Sequence, residues 1–155
     1  MTLGEPTNTD KSLEQKTEDI ETLVLHSGNR NRWTDSQEDF DIAKTVLEKN
    51  GRKLIDCSIN ADTTGKGLAE SLAKQILGAE ATADTLYDYI DDRKTFDVAL
   101  IVSSMDTTNP ELKGITSLIR YISDYTNSTV LVYTPNPEDI TKATELARIV
   151  GKIVY

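Results

Sequence analysis

Histidine, cysteine and tryptophan occur once each in this chain, as His26, Cys57 and Trp33. A lone cysteine excludes an internal disulfide framework and a four-ligand zinc ribbon. A lone histidine excludes any site that needs two imidazoles. Positive charge is also scarce: 17 Lys and Arg face 26 Asp and Glu, for a net charge of −9. Nonspecific binding to a nucleic-acid backbone needs clustered Lys and Arg, so that class is set aside. No apolar run approaches the length of a membrane span. No charged-then-apolar leader opens the chain. The expectation is a cytoplasmic protein with neither membrane nor nucleic-acid partner. Neither G-x-G-x-x-G nor G-x-S-x-G occurs, which removes the dinucleotide fingerprint and the hydrolase elbow.

What is present reads as one domain. A chain of 155 residues can close a hydrophobic core without staples. Residues 1–21 hold six acids and two bases with no apolar period. They are expected to form a disordered acidic tail, helical at most from Leu13 onward. The domain itself is assigned to residues 22–155. Short apolar runs at 22–25, 53–59, 96–102, 129–133 and 152–155 suit strands covered on both faces. Helical patterns fill the gaps: a cap at Thr34-Asp35-Ser36-Gln37, a start near Thr64, and two Asn-Pro openings at Asn109 and Asn136. Residues 79–94 interrupt the alternation as a short acidic helical insertion, with Leu86 and Ile90 inward. Strands alternating with helices imply a three-layer α/β sandwich with a five-stranded, mostly parallel sheet, flavodoxin-like or Rossmann-like. The favoured strand order is 2-1-3-4-5, with 3-2-1-4-5 as the alternative.

In such a sheet a ligand sits beyond the carboxyl ends of the strands, at the topological switch point. The sequence delivers small polar residues there: Ser27 and Asn29, then Thr63-Thr64-Gly65-Lys66-Gly67, then Ser103 and Asp106. The Thr63 to Gly67 segment follows a strand and opens a helix. Free N–H groups, two hydroxyls and an ammonium meet there, which suits a phosphate or a nucleotide. It is not a Walker loop, because Asn60 and Gly67 stand where that motif needs glycine and a hydroxyl. No cofactor is identified. Cys57 reads as a small buried hydrophobe, His26 as a loop residue, and Trp33 as a staple on the helix that follows it.

Two families are similar in part. Asp56-Cys57-Ser58-Ile59-Asn60 resembles the D-x-S-x-S metal loop of von Willebrand A domains, but Asn60 holds the fifth position. Thr134-Pro135-Asn136 replaces the aspartate expected after the fourth strand. No metal ligands are assigned on that likeness. The order of elements also resembles a response-regulator receiver domain, with 96–102 as its third strand and 130–134 as its fourth. His26-Ser27 stands in place of the receiver's acidic pair, and Val102 or Ser103 in place of its phosphoacceptor. That resemblance implies a receiver-like protein-interaction module without phosphorylation chemistry.

Three functions are therefore ranked. The first is a ligand-binding or regulatory domain holding an anionic small molecule through the residues above. The second is the receiver-like module, docking a protein partner through its acidic insertion and tail. The third is a small phosphoryl- or glycosyl-transfer enzyme built on Asp106, Lys66 and Ser27.

Overall fold

The computed structural model describes residues 12–155. Residues 1–11, the first half of the expected tail, lie outside it. The five strands are β1 Arg32–Thr34, β2 Lys53–Asp56, β3 Val98–Val102, β4 Thr129–Tyr133 and β5 Gly151–Lys152. All are parallel. The helices are α1 Leu13–Glu21, α2 Gln37–Lys49, α3 Gly65–Leu77, α4 Ala83–Asp91, α5 Leu112–Thr126, α6 Pro137–Lys142 and α7 Thr144–Ala147. The result is a three-layer α/β sandwich.

Alternation along the strands divides the core in two. Val98, Leu100 and Val102 of β3 pack with Leu72 of α3, Leu86 of α4, Ile119 of α5 and Leu146 of α7. Ala99 and Ile101 face the other way, onto Ile20 of α1 and Phe40 and Leu47 of α2. Every residue of β3 is buried, as a strand covered on both faces requires. The acidic insertion forms α4 with Leu86 and Ile90 buried and Asp88 exposed, the phase expected. It lies against α3 and α5.

The strand order is β2-β3-β4-β1-β5, neither of the two orders expected. The source of the difference is the first strand. Residues 22–25 do not enter the sheet but continue α1 as a π-helical turn, Thr22–His26. Ile20 and Val24, one turn apart, are fully buried. A short apolar run fits a buried helical turn as well as a strand, because periodicity alone does not separate them. The true β1 is Arg-Trp-Thr, three residues with no apolar run to announce it. It is held between β4 and β5. Trp33 is therefore a strand residue paired with Val132, with the Lys152 ammonium 5.3 Å from its ring centroid, rather than a staple on α2. The second half of the expected tail is likewise ordered, as α1. Ser12 caps it by accepting the Gln15 N–H, and its apolar side packs on α2.

The connections follow from this order. From β2 to β3 to β4 to β5 the chain advances across the sheet over the α3–α5–α7 face. From β1 to β2 it returns over the α2 face. Reversing direction and face together keeps every crossover of one hand. No helix among the described residues is long and apolar enough to cross a membrane.

Candidate functional site

The switch point moves with the strand order. Neighbouring strands β4 and β1 are followed by helices on opposite faces, so the crevice rule points to their carboxyl ends. Those ends close on each other. The Thr134 N–H donates to the Thr34 carbonyl at 3.0 Å, and both threonines are buried. The Thr34 hydroxyl accepts the Ser36 N–H, and Lys152 pairs with Asp35 at 3.5 Å above them. Thr34 thus ends β1. The helix cap falls on Ser36, which accepts the Asp39 N–H.

The open part of the carboxyl edge lies at β2 and β3. A cleft of about 360 Å³ runs along the β2–α3 loop, lined by Asp56, Ser58, Asn60, Asp62, Thr63 and Thr64 among others. Beyond β2 the chain stays paired: Ile59 donates to the Ser104 carbonyl and accepts from the Asp106 N–H. The Ser58 and Ser103 hydroxyls share a 2.6 Å hydrogen bond. Buried Asn109 stitches the loops together. Its amide donates to the carbonyls of Asn60 and Thr63, both at 2.8 Å, and its oxygen accepts the Glu111 N–H at 2.7 Å.

Seven of the nine residues named from the sequence meet at this edge, but all except Lys66 already hold hydrogen bonds within the protein. Thr64 caps α3 by accepting the Gly67 N–H at 2.9 Å. A Cβ on Gly67 would stand 2.9 Å from that hydroxyl, so glycine is required for the cap itself. Thr63 bonds with its hydroxyl to Asn60, accepting from the N–H and donating to the side-chain oxygen. The Gly65 N–H donates to Oε1 of Glu111 at 3.0 Å. The position foreseen for a phosphate is held by the protein's own carboxylate. Lys66 is exposed, and its ammonium makes no hydrogen bond or ion pair among the described residues. Asp106 accepts from both the N–H and the hydroxyl of Thr108, which holds its carboxyl below the usual range.

Ser27 and Asn29 do not join them. They precede β1 and lie at the amino end of the parallel sheet, where Arg32 donates to the Ser27 hydroxyl and the Asn29 carbonyl. The correction follows directly from the misplaced first strand. It also separates Ser27 from Asp106 and Lys66, so the transferase constellation is not assembled.

Glu111 and Asn109 were missed. The Asn109-Pro110 pair was legible only as a helix opening. The contacts that matter reach back more than forty residues, and no local pattern encodes them. Asp56, first residue of the metal-loop likeness, accepts the Ser58 N–H within its own turn. Among the described residues no group of three or more His, Cys, Asp or Glu is placed to hold a metal ion. Cys57 is fully buried and donates its N–H to the Ile101 carbonyl. Burial pushes its thiol well above the usual range, so it is a core residue and not a nucleophile. A second groove, of about 500 Å³, lies between α1 and α2 over Leu13, Ile42 and Val46. No protein-family model, curated protein or solved structure matches this chain.

Proposed function

We propose that this is a small ligand-binding or regulatory α/β domain that takes an anionic group, a phosphate or the phosphate of a nucleotide, at the carboxyl edge of β2 and β3. One observation carries the reading: a carboxylate oxygen already sits on the first N–H of α3, 3.0 Å from Gly65. The helix terminus selects an anion there. Glu111 is exposed, its carboxylate carried on two flexible methylenes, and an incoming phosphate competes with it for the same N–H. Lys66 stands beside that position with its charge uncommitted. Asp56 and Asp62 in the same cleft oppose an anion, so the affinity of the resting protein is low. A reducing, cytosolic setting belongs to the proposal and is supported by the single buried, unpaired cysteine.

The test is phosphate and ATP titration by calorimetry. Glu111→Gln removes the competing charge and should tighten binding about tenfold, while Lys66→Ala weakens it by about tenfold or more. Binding that ignores both substitutions, or that neither protein shows, overturns the reading. A second reading, the protein-interaction module, draws on a different observation. Tyr87, Tyr89 and Tyr125 on α4 and α5 are three of the five large hydrophobic residues left exposed among the described residues. Exposed aromatics beside acidic side chains suit a protein contact.

A further inference from the structure

Three arginines, Arg30, Arg32 and Arg52, flank the amino end of the sheet. Acids exceed bases by nine in this chain, yet Arg30, Arg32 and Arg52 make no ion pair with a carboxylate among the described residues. They donate instead to neutral oxygens. Arg30 reaches the Asn127 side-chain oxygen at 3.0 Å. Arg52 reaches the Asn127 carbonyl at 3.3 Å and the Val98 carbonyl at 3.4 Å, both long bonds. Arg32 bonds the Ser27 hydroxyl and the Asn29 carbonyl, and its Nε is buried with no acceptor among the described residues. Two guanidinium groups thus converge on one asparagine, and a third has a buried donor unsatisfied. Buried donors ordinarily find acceptors.

A polar cleft of about 240 Å³ opens beside Arg30 and Asn127, with Asn29, Asn31, Ser123 and Asp124 among its other lining residues and with Arg32 and Arg52 outside the lining. Asn127 is held in the left-handed region, φ 59°, at the end of α5. Asp124 is the one carboxylate in the lining, and it is 3.5 Å from the guanidinium of Arg120. We propose that the cleft is a binding site for a small oxyanion, a phosphate or carboxylate group, gripped by Arg30 with Arg52 behind Asn127. The planar fork of arginine matches the two oxygens of such a group, and Arg30 spends only its Nη2 on a protein acceptor. The site is independent of the carboxyl-edge reading. It lies at the opposite end of the strands and uses none of the same residues.

The experiment is NMR titration of the full chain with inorganic phosphate and with pyrophosphate. The expected result is chemical-shift change centred on Arg30, Ser123 and Asn127. Arg30→Ala should weaken binding about tenfold or more and Arg52→Ala severalfold. Arg30→Lys keeps the charge and loses the fork, so it should resemble Arg30→Ala. Asp124→Asn should tighten binding, and Lys66→Ala should leave the shifts at Arg30, Ser123 and Asn127 unchanged. Should Arg30→Ala not fold, the Arg30→Lys and Asp124→Asn responses decide. Shifts confined to residues 63–67 and abolished by Lys66→Ala would overturn this site while supporting the carboxyl-edge reading. Equal losses in Arg30→Ala and in Lys113→Ala would reduce the effect to general positive potential. Absence of binding by either anion would also overturn the proposal.

Discussion

Asn109 shows how much of this edge rests on one side chain. It is 5% exposed and satisfies two carbonyls and one N–H from two different loops. Asn109→Ala leaves those groups unpaired and should destabilise the domain by about 2–3 kcal/mol, read as a lower denaturation midpoint. Asn109→Asp should do no better, because it sets a carboxylate against two carbonyl oxygens. The same scale explains why seven of the nine residues named from the sequence stand at the carboxyl edge while six of those seven already hold hydrogen bonds within the protein. Thr63, Thr64 and Gly67 were identified as groups with free hydrogen-bonding capacity at a helix start, and they are at that start. Their capacity is taken up by Asn60 and by the cap itself. Sequence shows which groups an edge contains. It does not show which of them have already found each other.

At the level of elements, the strong periodic signals held. The phase expected for α4 is the phase found, and the helices expected after Thr34, Thr64 and Asn109 are present, each with a wide buried apolar stripe. The last helix opens at Asn136-Pro137 as expected but breaks at Ala143 into α6 and α7. The weak signals failed in both directions. An apolar run of four residues became a helical turn, and a charged tripeptide became an interior strand. The second half of the expected acidic tail is instead held to the domain by Ile20 of α1, which is fully buried against α2. Ile20→Ala should destabilise the protein by about 2–4 kcal/mol, measured by urea unfolding. An effect near zero would return α1 to the status of a tail.

Beyond β5, Tyr155 is tied to α2 on the face that α1 and α2 cover. The Tyr155 hydroxyl donates to the Asp39 carboxylate on α2 at 2.8 Å. Burial first, and then the bond to Asp39, raises the phenol well above its ordinary value. A group whose folded pKa is raised adds stability that is fully present below its unfolded value. That stability is lost as pH climbs beyond it. The domain should therefore weaken above about pH 10, the ordinary phenol value. Tyr155→Phe should lower stability at neutral pH by about 1 kcal/mol and flatten this alkaline decline. Thermal melts of both proteins from pH 8 to about pH 11 check it.

By itself the sequence determined the layers. Two-sided burial of β3 and the striped helices are properties of a few adjacent residues, and hydrophobic burial acts on them wherever they lie. Only the tertiary structure decided the order of the strands and the end of the sheet at which Ser27 and Asn29 lie. It also decided which donors remain to meet a ligand. A three-residue strand such as β1 has no preference strong enough to place itself. Its position is set by hydrogen bonds to β4 and β5, strands formed by residues about a hundred positions along the chain. Pairing at that separation depends on which surfaces are left uncovered once the rest has packed, and no local pattern carries that information.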